Sequence, residues 1–254
     1  MAPLTLLTLF SAFSASFVFL SRAQEEEGSI PESIQLTVKF ESEGMCLEEI
    51  NAARRKAGFS NFTQPASGSD AALPSEDNVE LWYPVCLAAT PGGTIDTHRF
   101  PPGTFAVAPQ SSTKVDCDET VDHWKAAYKN FDGPPPGRVA SSEIYNNLDN
   151  LSLVAMYNPS ADATADCRVM TCTQTPKATG DPDVSGRQSG DQAEEKQGYA
   201  LVCRTMPNAL PINGSGPFTE EQWDLIAFSL IGSATAVAPS LLAFALVALG
   251  MAAV

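Results

Sequence analysis

Six cysteines, Cys46, Cys86, Cys117, Cys167, Cys172 and Cys203, constrain this chain more than any other feature. All lie between two apolar ends, and no two stand in a Cys-x-x-Cys pair. Neither a zinc ribbon nor a thioredoxin-type redox site is therefore indicated. An even number in a chain bound for an oxidising compartment reads as three structural disulfides. Each would close a long loop and contribute about 3–5 kcal/mol. Many connectivities fit six cysteines. Cys172 with Cys203 is the favoured pair, because Arg168 to Thr173 and Tyr199 to Arg204 read as short neighbouring strands.

The oxidising compartment follows from the ends. Leu4 to Leu20 is apolar apart from scattered Ser and Thr. That is the length of a secretory core and short for a membrane span. Ser21-Arg22-Ala23 places small residues at the −3 and −1 positions, so residues 1–23 read as a signal peptide. Leu241 to Leu249 is a second apolar run, with no Lys or Arg after it. A membrane helix usually carries a basic cytoplasmic flank. An apolar tail behind small residues is instead the pattern of a glycosylphosphatidylinositol (GPI) attachment signal. Gly232-Ser233-Ala234 supplies the small residues. Gly232 would then take the lipid and residues 233–254 would be removed, with Ser233 as the alternative attachment residue. The expected mature domain is 24–232.

Its charge narrows the partners. Fifteen Lys and Arg face 30 Asp and Glu, a formal charge of −15. Removing both ends strips Arg22 and no acid. A chain this acidic repels phosphates, which argues against nucleic acid. Two histidines, His98 and His123, exclude chemistry that needs several imidazoles. Arg54, Arg55 and Lys56 form a small basic cluster. Its ordinary role is to offset the negative end of a helix dipole; its sharper one is a host-contact site for sulfated glycan. Sequons begin at Asn61, Asn150 and Asn213, the candidate N-glycosylation sites.

Periodicity predicts mixed elements. Ile34, Leu36, Val38 and Phe40 alternate with polar residues as in a half-buried strand. Met45 to Ala57 reads as a helix closed by Gly58. Asn78 to Ala89 reads as a helix kinked at Pro84, and Thr104 to Ala108 as a strand. Val121, Trp124, Tyr128 and Phe131 make an aromatic stripe on a helix from Asp118 to Asn130, with Asp118 as its cap. A further helix is expected from Ser142 to Tyr157. Pro65 to Ser75 and the polar stretch 175–198 read as loops. These elements do not alternate as βαβ units, so the expected class is α+β.

Three blocks carry a resemblance. Cys46 to Gly58 resembles the opening helix of the coccidian (Eimeria) surface antigen family. Val121 to Phe131, with the prolines that follow, is similar to its central helix. Tyr199 to Cys203 together with Pro217 to Trp223 resembles its end. Those antigens are similar in fold to the CAP superfamily, so the resemblance implies a CAP-like α-β-α sandwich stapled by three disulfides. CAP domains often hold zinc with two His and two Glu. The stretch corresponding to one His motif, Asp149 to Tyr157, contains no His, and the Glu expected after the helix tryptophan falls on Ala127. No metal and no cofactor are therefore expected, and no catalytic residue is assigned.

There is no Gly-x-Ser-x-Gly elbow and no phosphate-binding glycine loop. The function expected is that of a non-enzymatic, GPI-anchored surface antigen whose partners are the host cell surface or host immune molecules. A lipid- or sterol-binding CAP-like module and a secreted hydrolase are the competing readings.

Overall fold

A computed structural model describes residues 29–90, 95–139, 143–177 and 195–231. The proposed signal peptide, Gly232, Ser233 and the apolar tail lie outside the described residues, as does 178–194; the ends of the expected polar loop are strand instead, Thr175 and Pro176 closing one strand and Lys196 to Gly198 opening the next. The expected α+β class holds. In chain order the elements are β1 (Ile34–Phe40), α1 (Leu47–Lys56), α2 (Val79–Ala89), β2 (Thr104–Gln110), α3 (Cys117–Ala126), α4 (Leu148–Met156), β3 (Thr164–Pro176), β4 (Lys196–Met206) and α5 (Glu220–Ile231). The strands form one sheet in the order β1-β3-β4-β2, with every neighbouring pair antiparallel.

Register decides which side chains share a face, because successive residues of a strand point to opposite sides. Val38 lies opposite Cys172, which lies opposite Gly198. This face meets α2: Cys172 is bonded to Cys86 of that helix, and Phe40 and Phe105 pack edge-on against its Trp82. Gly198 sits so close to the α2 end that a Cβ there would lie 2.8 Å from the Ala89 carbonyl oxygen. The opposite face carries Ala165, Cys167, Val169, Leu201 and Cys203, all buried.

The same register corrects the favoured disulfide. Cys167 lies directly opposite Cys203, and these two are bonded. Cys172 is five residues from Cys167, so it points to the other face and reaches α2 instead. The third bond joins Cys46, which caps α1, to Cys117, the first residue of α3. Both helix starts are thereby held together.

The helices depart from expectation in three places. Asp116, not Asp118, caps α3, its side chain accepting from the Glu119 N–H. The predicted helix from Ser142 to Tyr157 is broken: a 3₁₀ turn at Ile144–Asn146 gives way to extended Asn147, whose side chain accepts from the Asp149 N–H and starts α4. An Asn that bonds the backbone ahead of it favours a new start over continuation. Finally, α5 was not anticipated as a helix. Thr219 and Gln222 cap its start reciprocally, the logic of a capping box.

β2 is an edge strand, so its outward N–H and C=O groups need partners. α4 lies along it and supplies one. Ser152 Oγ accepts from Val107 N–H at 2.9 Å and donates to Val107 C=O at 3.3 Å. One hydroxyl thus serves both outward groups of a single residue.

Candidate functional site

The basic cluster at the end of α1 is divided by the helix. Arg54 is fully buried, which removes it from the expected host-contact surface. Its Nε donates to Ser60 C=O at 2.8 Å, and its Nη1 donates to Met156 C=O at 2.9 Å and Asn158 C=O at 3.0 Å. Met156 ends α4, so Arg54 places positive charge on the carbonyl end of another helix. The guanidinium also lies 3.6 Å from the Phe62 ring centroid. Burial lowers its pKa to about 10, which still leaves it charged at neutral pH.

Arg55 and Lys56 remain outside. Arg55 is paired with Glu48 at 2.9 Å and donates to Asn61 Oδ1 at 3.2 Å. Lys56 instead borders a cavity of about 330 Å³ between α1, α3 and the last turn of α5. Lys125 and Lys129 join it there, with Asp122, Tyr128 and Tyr157. The sequence reading did not single out these two lysines. Their i,i+4 spacing on the aromatic helix was the available signal, since such residues share a face.

The aromatic stripe is core, as its spacing suggests. Val121 and Trp124 are buried and Phe131 nearly so. Tyr128 is half-buried and stacks on Trp223 of α5 at 4.6 Å. Trp223 also meets Phe131 and Phe218, so this cluster fastens α5 to the helix layer.

His123 faces Asp149 across 2.9 Å, and both are substantially exposed. His98 lies in a 3₁₀ turn at Thr97–Arg99. Among the described residues no group of three His, Cys, Asp or Glu is gathered as a metal site would require. Of the sequons, Asn61 and Asn213 are exposed. Asn150 is corrected: it is 4% exposed within α4. It donates to Ile144 C=O at 2.9 Å and accepts from Asn130 at 2.7 Å, so a glycan on its nitrogen has no room.

No helix among the described residues is long and apolar enough to cross a membrane.

The fold and the site thus define an α+β domain stapled by three disulfides, with a charged cavity among its helices. Residues 42–245 match the sporozoite surface antigen domain, and the chain belongs to that family of coccidian surface antigens. It is similar to the sporulated oocyst TA4 antigen of Eimeria tenella, with 28% identity over 200 residues that span 73% of this chain and 74% of that antigen. No solved structure matches the chain. A surface antigen is, by that description, a protein of the cell surface.

Proposed function

We propose that this antigen is a non-catalytic display scaffold, tethered by a GPI lipid after loss of residues 1–23 and of the apolar tail, the lipid on Gly232 where 233–254 are removed or on Ser233 where 234–254 are. In this role it mediates host-cell attachment or contact with host immune molecules. The observation that carries the reading is how one exposed loop is held. Residues 66–70 are exposed, yet the chain on either side is fixed. Pro65 is buried before the loop. After it, Leu73 N–H donates to buried Asp166 at 2.8 Å, and Ala72 C=O accepts from Arg204. Asp166 and Arg204 belong to β3 and β4, which the Cys167–Cys203 bond locks together. A loop with fixed ends on a stapled sheet can change its surface without changing the fold.

A CAP-like layering is part of this proposal. Its support is a sheet whose central strands are buried on both faces, with α2 on one of them. The exposed state of the His123–Asp149 pair supports a structural role for that histidine over a catalytic one.

Treatment of expressing cells with phosphatidylinositol-specific phospholipase C is expected to release the antigen, and the released protein is expected to bind host epithelial cells. Retention after treatment overturns the lipid anchor. Release without cell binding overturns the attachment role.

A further inference from the structure

We propose that the cavity bordered by Lys56, Lys125 and Lys129 is a binding site for an acidic saccharide, a single sugar ring bearing a sulfate or similar oxyanion. The inference rests on the attachment reading for its biological purpose, while its chemistry stands on the cavity alone.

The first argument is charge. The chain carries −15 overall and has seven lysines, three of which border this one cavity. Lys125 is offset by Asp122 at 2.8 Å. Lys56 and Lys129 are exposed and have no ion-pair partner among the described residues. Gathering like charges without a counterion is unfavourable, and on a chain so rich in acids it is not a consequence of composition. An oxyanion between the ammonium groups resolves it, and lysine suits a compact anion approached from several sides.

The second argument is shape. Ala53 of α1 and Ala126 of α3 are small, and the hollow between the two helices opens over them. Its volume of about 330 Å³ is at the lower end of ligand pockets, enough for a ring and its substituents and too little for a long acyl chain. The wall is amphipathic. Tyr128 is held in place by stacking on Trp223, and a sugar ring has an apolar face to lay against such a surface. Asp122, whose Oδ1 accepts from Lys125, has a second carboxylate oxygen able to accept from a hydroxyl, and Ser229, whose Oγ donates to Ile226 C=O, and Tyr157 complete the lining. Cation, carboxylate, hydroxyl and aromatic groups converge on one ring-sized space.

The test is calorimetric titration of the full-length protein, released from cells by phospholipase or solubilised in detergent, with a sulfated heparin-derived disaccharide. Parallel arms use the desulfated disaccharide, inorganic sulfate, and phosphatidylcholine vesicles with and without phosphatidic acid. The expected result is saturable binding of the sulfated disaccharide, at least tenfold tighter than the desulfated form or sulfate alone. The double variant Lys56→Glu/Lys129→Glu is expected to lose at least tenfold in affinity with an unchanged melting temperature. Both positions are exposed, so folding should survive, and Lys56→Gln/Lys129→Gln provides a milder second variant.

No binding by the parent protein, or binding that neither double variant changes, overturns the proposal. Equal affinity for inorganic sulfate reduces the site to an anion site without saccharide recognition and also overturns it. Lysine-dependent vesicle binding without disaccharide binding reassigns the cavity to a membrane lipid. Cell binding that survives in the variants removes this site and leaves the attachment reading intact. Disaccharide binding without cell binding does the reverse.

Discussion

Arg54 and Phe62 are stacked in the interior, guanidinium over ring at 3.6 Å, and through them the end of α1 is locked to the end of α4. The charge is met by carbonyl oxygens and an aromatic face. Arg54→Ala removes that contact, leaves the Ser60, Met156 and Asn158 carbonyls without their donor, and opens a void. The expected loss is about 3–5 kcal/mol, read as a lower midpoint in urea. Arg54→Lys is expected to recover only part of it, because an ammonium cannot reproduce the planar fork. Arg55→Ala, at an exposed pair, is expected to cost less than about 1 kcal/mol.

The Cys86–Cys172 bond spans 86 residues and ties α2 to the sheet. Replacing both by Ala is expected to lower stability by about 4 kcal/mol, while Cys46–Cys117 and Cys167–Cys203 still form. Peptide mapping without reduction should recover those two pairs and no Cys172–Cys203 peptide.

Asp166 gives an acid-sensitive contribution. Burial alone would raise its pKa, but hydrogen bonds from Arg168, Leu73 N–H and Gln64 more than offset that and hold it below the usual carboxylate range. A depressed folded-state pKa stabilises above the unfolded value and is lost as pH falls through the folded one. Stability should therefore fall below about pH 4, and Asp166→Asn should flatten that part of the denaturation-versus-pH curve.

Tyr157 and Tyr145 act at the alkaline end. Burial raises both; Tyr157 reaches about 12, and Tyr145, which donates to Pro136 C=O, is also raised. A raised phenol stabilises fully below its unfolded pKa near 10 and ceases to do so as pH rises through the folded value. Burial also raises Tyr83, so in a spectrophotometric titration Tyr145 and Tyr157 should ionise only as the protein unfolds, with Tyr83 titrating late beside them. Tyr157→Phe should remove one phenol from that late-ionising group.

What the sequence disclosed was local. The alternation at Ile34–Phe40 and the spacing of Val121, Trp124 and Phe131 each describe one element against one buried face, and both appear as expected. Beyond the helix boundaries at Asp116 and Asn147, the failures were matters of who lies opposite whom. Cys172 and Cys203 do sit on neighbouring strands, but register, which no single strand encodes, puts them on opposite faces. Arg54 and Lys56 are two residues apart, and a helix turns them about 200° from each other, so one became core and the other rim. Asn150 satisfies a sequon while facing inward, for the same reason. The lysine cavity needs α1, α3 and α5 together, and α5 itself went unread.

The closure of β2 by Ser152 bears on how such a protein lives at high surface density. A protein of the cell surface meets copies of itself at close range, where open strand edges would zip neighbours together. On the β2 side, Val107 offers a neighbour nothing, because a side chain of the same molecule already occupies both its groups. On the β1 side, Lys39 and Glu41 put charge at the rim. Edges blocked in this way disfavour strand pairing between neighbouring copies at a cell surface.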